Sequence, residues 1–180
     1  MAAPLTVLQV CAEMFPLLKT GGLADVAGAL PQALRAQNVD MRVLLPGFAP
    51  ILAGLQAPRE VARLPARGDV PAARLLAGRL PACDGDAYVI AAPELYLRQG
   101  GPYADAQQRP FVDNHLRFAR LCWAAAEIAN GIDPQWTPRI VHAHDWHAGL
   151  TPTCMRELAV AAKSVFTIHN LAYQGLFPGE

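Results

Sequence analysis

Apolar segments of two different periods alternate along this chain, and that alternation restricts its fold more than any other feature. Leu5–Cys11 reads as a buried strand, and Leu23–Gln37 follows with helical spacing at Leu23, Val26, Ala27, Leu30 and Leu34. Pro31 falls inside that pattern and is expected to kink the helix or split it in two. Met41–Leu45 is the second strand, ended by Pro46-Gly47. Between Ile51 and Pro93, short candidates at Ala72–Arg79 and Ala87–Ala91 are separated by Pro and Gly, and read as hairpins or edge strands. Pro110–Asn130 is the clearest helix, with Pro near its first turn and Gly131 just beyond its end. Arg139–Ala143 and Ser164–Ile168 are two core strands joined by a helix across Ala148–Ala161. Such an order implies an α/β fold, a doubly wound and mostly parallel Rossmann-like sheet.

Ligands of such sheets bind beyond the carboxyl ends of the strands. That rule gathers the loop Glu13–Gly22, the loop after Ala143 and the loop after Ile168 onto one edge. At 180 residues, 53% of them apolar, the chain can build one domain with a real core but not two full α/β domains. Fifteen basic and fifteen acidic side chains cancel, so charge implies neither a nucleic acid nor an anionic membrane as partner. No apolar run reaches the roughly 18 residues of a membrane span, and Met1-Ala2-Ala3-Pro4 lacks the basic start of a signal peptide. Cys11, Cys83, Cys122 and Cys154 are scattered, as free thiols of a reducing cytoplasm would be.

Several residues on the expected edge could carry chemistry. Lys19 precedes Thr20, Gly21 and Gly22 at a strand-to-helix loop, where bare backbone, helix N–H groups and a full positive charge suit a phosphate. The spacing is that of neither a P-loop nor G-x-G-x-x-G. Asp25 lies in the first helical turn, where it complements the dipole or meets a ligand. His142, His144, Asp145 and His147 form a dense cluster. Alternation puts His142 and His144 on one strand face, and no cysteine or further acid completes a tetrahedral metal site, so buried, hydrogen-bonded histidines are expected and no metal or other cofactor. Asp145 at a strand's carboxyl end is better placed for function, and Trp146 serves a sugar ring or the core. His169-Asn170 follows the last strand, again on the ligand edge. Tyr103 stands in a Gly-Gly-Pro turn, and Gly175 serves a turn of its own.

Four blocks, EMFPLLKTGGLADVAGALP within Val7–Pro46, RQGGPYAD from Arg98, HAHDWHAGL from His142 and TIHNLAYQGLF from Thr167, closely resemble the bacterial glycogen synthases and plant starch synthases, in family order. The resemblance implies the N-terminal part of a two-domain GT-B glycosyltransferase. Such an enzyme transfers glucose from ADP-glucose to the non-reducing end of an α-1,4-glucan with retention. It further implies that Lys19, Gly21 and Gly22 contact the nucleotide-sugar donor, that Tyr103 and Asn170 face substrate, and that Asp145 and His169 lie beside the reacting sugar. Asp145 would steady oxocarbenium-like charge or orient an acceptor hydroxyl. The family's second domain, with its basic clamp for the diphosphate, has no counterpart here, and the chain stops at Pro178-Gly179-Glu180 without a closing strand. Residues 1–180 are thus expected to be an incomplete catalytic domain, inactive alone, with an unpaired sheet edge that favours self-association. A glucan- or partner-binding half-domain and a dehydrogenase sharing the fold are the alternatives. The missing G-x-G-x-x-G weighs against the second.

Overall fold

The computed structural model describes residues 3–81 and 85–177. Cys83 and the terminal Pro178-Gly179-Glu180 lie outside the described residues. Seven strands form one sheet: β1 (Leu5–Val10), β2 (Val39–Pro46), β3 (Gln56–Leu64), β4 (Ala73–Leu80), β5 (Gly85–Ala91), β6 (Ile140–His144) and β7 (Lys163–Thr167), in the order β3-β4-β5-β2-β1-β6-β7. The five strands β5, β2, β1, β6 and β7 run parallel, while β3 and β4 turn antiparallel at one edge. The central strands are buried on both faces, with Leu8, Val10, Val43, Leu44, Leu45, Val89, Ile90, Val141 and Ala143 at or near zero exposure. A strand covered on both faces reads as a continuous apolar run rather than an alternation, as β1 and β2 do.

Helix α1 (Gly22–Arg35) returns the chain from β1 to β2. Short helices α2 (Ala49–Gly54) and α3 (Pro93–Tyr96) precede α4 (Asn114–Ala129), which packs on β1 and β2 and leads into β6. A 3₁₀ turn at Trp146–Ala148 and α5 (Thr151–Glu157) connect β6 to β7. No helix among the described residues is long and apolar enough to cross a membrane.

Five expectations need correction. Ser164–Ile168, expected as a core strand, is the edge strand β7, whose residues are mostly exposed because no described strand pairs beyond it. Pro31 neither splits nor ends α1, which is continuous through it. A proline leaves the carbonyl four residues back without its N–H partner, and here that carbonyl, Ala27 O, accepts instead from the side chain of Gln9 on β1 at 2.9 Å. The helix expected from Pro110 begins at Asn114, because Pro110 is held in a bridge to Ala104. The helix expected across Ala148–Ala161 is the shorter α5, preceded by the 3₁₀ turn. Strand β3 was not expected at all. It is an exposed edge strand, bulged against β4, with Arg59, Glu60 and Arg63 within it, so no clean alternation survives.

Candidate active site

The sheet grows from β1 in both directions, toward β2 on one side and β6 on the other. The loops leaving β1 and β6 therefore diverge, and a crevice opens between their carboxyl ends, the switch point where open α/β sheets bind ligands. A cavity of about 870 Å³ occupies this place, a volume suited to a small-molecule ligand. Gly21, Gly22, Tyr103, Asp145, His169 and Asn170 all line it. Of the expected site residues, Lys19 alone is not on its wall.

The first wall is built from the end of β1. Glu13 is only 2% exposed, yet it carries a carboxylate whose oxygens are fully engaged. Its Oε2 accepts the Thr20 N–H, and its Oε1 accepts the Thr20 hydroxyl at 2.7 Å and the Tyr103 hydroxyl. A carboxylate is retained in an interior only when hydrogen-bonded in this way. Glu13 thus ties together two loops 90 residues apart. The sequence did mark it, as the one charged residue in the apolar stretch Cys11-Ala12-Glu13-Met14, but its role as a hub was not foreseen.

Beyond Thr20 the chain enters α1 through Gly21 and Gly22. A β-carbon placed on either would meet nothing within 4 Å, so the backbone there faces open space. Amides at the N-terminus of a 14-residue helix border that space, a setting that favours an anion. The Lys19 Nζ grips both oxygens of Asp25 at 2.7 Å, with both side chains about half exposed. Asp25 therefore does more than complement the helix dipole.

Tyr103 packs as an aromatic wall. Its ring stacks on His147 at 4.7 Å and leans on Phe118 and Trp146. Burial first, then the Glu13 charge and hydrogen bond, raise its phenol above the ordinary value, so its O–H is a standing donor to Glu13. The Tyr103 loop is anchored from α4. Asn114 Nδ2 donates to Tyr103 O at 2.8 Å, and the buried Arg117 guanidinium donates to Pro102 O, Leu95 O and Asn114 Oδ1 at 2.6–2.9 Å. Burial lowers Arg117 to about 10.

On the far wall, Asp145 closes β6 with φ 59 and ψ −178, a region that costs a non-glycine residue on the order of 1–3 kcal/mol. Three bonds hold it there. Its N–H donates to Thr167 O at 2.9 Å, its carbonyl accepts from Ala148 N–H at 3.0 Å, and its Oδ1 accepts the His169 N–H at 3.2 Å. Trp146 packs edge-on against Phe118 at 4.9 Å. Gly175, at φ 61, is required because a β-carbon would sit 2.4 Å from the Trp146 ring.

Of the two strand histidines, His144 is buried and His142 half-buried, and both are hydrogen-bonded. His142 Nε2 lies 2.7 Å from Thr167 Oγ1, and His144 Nδ1 lies 2.9 Å from His169 Nε2. Burial lowers His142 and holds His144 and His147 down to about 3, so the last two are neutral. Among the described residues no three His, Cys, Asp or Glu side chains converge as a metal site requires.

A mostly parallel α/β sheet with a crevice at its switch point defines a domain of the Rossmann-like class. A model of the starch synthase catalytic domain matches residues 6–180, and the chain belongs to that family. It is 62% identical over 182 residues to a glycogen synthase of Leptothrix cholodnii, covering 97% of this chain and 37% of that protein. It is 58% identical to a glycogen synthase of Variovorax paradoxus, covering 94% and 36%. Among solved structures it resembles the catalytic domain of starch synthase IV from Arabidopsis thaliana bound to ADP and acarbose, with a TM-score of 0.72 at 24% identity, over 96% of this chain and 35% of that one. That last likeness is one of fold. The chain thus spans little more than a third of the length of these relatives.

Proposed function

We propose that this chain forms the amino-terminal domain of a glycogen synthase, which moves glucose from ADP-glucose to the non-reducing end of an α-1,4-glucan with retention. The observation that carries this reading is the switch-point cavity, which gathers open glycine backbone, a strained carboxylate and a histidine from three separate loops. In this reading the helix N-terminus at Gly21 and Gly22 receives the donor diphosphate, and Lys19 exchanges Asp25 for it. Asp145 stands beside the reacting sugar, His169 and Asn170 hold the glucosyl group, and Tyr103 forms the wall next to it. Basic groups for the departing diphosphate come from sequence outside these 180 residues. Losing even one such donor costs roughly 100- to 1000-fold, so the 180-residue polypeptide alone transfers nothing measurable. Cys11, Cys122 and Cys154 are buried and outside any disulfide among the described residues, which suits a reducing cytoplasm.

The test is incorporation of labelled glucose into glycogen by the complete protein encoded by its own gene, with ADP-glucose and UDP-glucose compared. Asp145→Asn keeps the oxygen that accepts from His169 and removes the charge, and is expected to lower kcat at least about 100-fold. A folded complete protein that labels glycogen from neither donor, or an Asp145→Asn variant with unchanged kcat, would overturn the reading.

A further inference from the structure

The histidine pair behind the cavity wall carries a further assignment. His144 ends β6 and His169 lies in the loop just after β7, the parallel neighbour of β6, with ring planes 25° apart and centroids 5.2 Å apart, and a single hydrogen bond joins Nδ1 of the first to Nε2 of the second. His144 is 1% exposed, and its other nitrogen, Nε2, is buried without a hydrogen-bond partner. The group facing it from its own strand is His142, whose ring lies 4.1 Å away and whose Nε2 is occupied by Thr167. Asp145 holds the backbone N–H of His169 and so fixes where that ring starts.

One proton sits between the two bonded nitrogens, and the surroundings decide whose it is. If His169 donated from Nε2, the neutral His144 would carry its own proton on the buried Nε2, an N–H with no acceptor. An orphaned buried donor pays the full desolvation cost of its N–H with nothing in return. If His144 donates from Nδ1, its Nε2 is left only as an unused lone pair, the milder defect, since orphaned N–H groups are the rarer kind in native interiors. A protonated His169 would be forced into the first, costlier arrangement.

We propose that His144 is a positioning residue: its Nδ1–H donates to Nε2 of His169 and fixes His169 as the neutral Nδ1–H tautomer. Nδ1–H is then the ring donor that His169 offers to a ligand, and the imidazole is held both in orientation and in protonation state. The role in catalysis rests on the glycogen synthase reading, as a neutral donor to an oxygen of the glucosyl group. The tautomer does not depend on that reading.

The experiment is a long-range ¹H–¹⁵N spectrum of the ligand-free, ¹⁵N-histidine-labelled complete protein, with the His169 signals assigned by their loss in His169→Gln. The expected result is a protonated Nδ1 and an unprotonated Nε2 on His169 at neutral pH. His144→Leu should let the other tautomer appear and lower kcat by about 10- to 100-fold, the usual effect of losing a group that orients a functional histidine. The donor KM should stay within about threefold. His144→Asn, whose amide N–H falls near the position of Nδ1, should restore most of both. A wild-type His169 protonated on Nε2 would overturn the proposal, and so would a folded His144→Leu protein with unchanged tautomer and kcat. Finding the expected tautomer in a complete protein that transfers no glucose would overturn the proposed function and leave the histidine pair standing.

Discussion

Glu13→Ala removes one acceptor site from three donors at once, the Thr20 N–H, the Thr20 hydroxyl and the Tyr103 hydroxyl. Hydrogen bonds to a charged group are worth about 1.5–3 kcal/mol each when the donor is left unsatisfied. Thr20 is exposed, so its two donors recover water and contribute little. The Tyr103 hydroxyl is enclosed by its packing and contributes in full, and the deleted side-chain carbons leave a void. The expected loss is about 3 kcal/mol. Glu13→Gln behaves differently. Its carbonyl accepts the Thr20 N–H while its amide donates to the two hydroxyls, each of which accepts after rotating its own hydrogen. That exchange is expected to lose about 1 kcal/mol. Urea midpoints at matched m-values measure both losses, and limited proteolysis of the Arg98–Arg109 stretch reports whether the Tyr103 loop has come free. Equal losses for the two variants, within about 0.5 kcal/mol, would refute the view of Glu13 as the bond between the loops.

Acid should unfold this domain early. His144 and His147 are held down to about 3, so an unfolded chain titrating near 6.5 takes up protons first as the pH falls. Their stabilisation is whole above about pH 6.5 and is lost progressively toward pH 3, with about 2 kcal/mol gone per residue by pH 5; a flat urea midpoint between pH 7.5 and 5 would contradict this. Gly28→Ala should lose stability although alanine favours helix by about 1 kcal/mol. The added β-carbon would stand 2.6 Å from the Phe15 carbonyl, and overpacking costs about 1–3 kcal/mol, so a raised Tm would show the loop yielding freely. Glu127→Gln strips the carboxylate that sits 2.5 Å from the fully buried Arg120 and 3.2 Å from Arg67, with an expected loss of about 3–5 kcal/mol by thermal or urea unfolding. At the open edge, Val165 and Phe166 on β7 are each 44% exposed and no described strand pairs beyond them. Sedimentation velocity of the 180-residue chain should therefore show self-association that Phe166→Lys reduces, and an unmodified monomer would count against it.

The central parallel strands were legible because they are buried on both faces and announce themselves as apolar runs bounded by loops, whereas β7, apolar in the same way, is an exposed edge. The gathering of these loops around one cavity was legible for a related reason, since fold logic sends every loop after a parallel strand to one edge. What escaped reading depends on partners far along the chain. Nothing near Pro31 says that Gln9 will satisfy Ala27 O, so a local rule allowed a split that the helix does not have. Glu13 looked like a loop acid until Tyr103 arrived from 90 residues away. The lysine's partner was nearer, but Asp25 reaches Lys19 only because α1 starts at Gly22 and turns its first carboxylate back over the loop. Strand β3 was hidden by its own position, since an exposed, bulged edge has no buried face to impose a period.

The strain at Asp145 ties this wall of the cavity to the sheet more closely than a loop residue would be tied. Its backbone conformation is unfavourable for any side chain, and the bonds that enforce it include one to the strand next door, from its N–H to Thr167 O, and one from the loop that follows that strand, from the His169 N–H to its carboxylate. The β6–β7 ladder, which pairs His144 with Thr167, therefore sets the carboxylate and its neighbouring histidine by the same register. A one-residue slip would turn every side chain of β7 to the other face and would break both contacts together. Position and protonation at this edge are thus consequences of strand pairing. Changes to β7 that never touch the cavity should still be felt at Asp145 and His169, more strongly than changes to the glycine loop across the crevice.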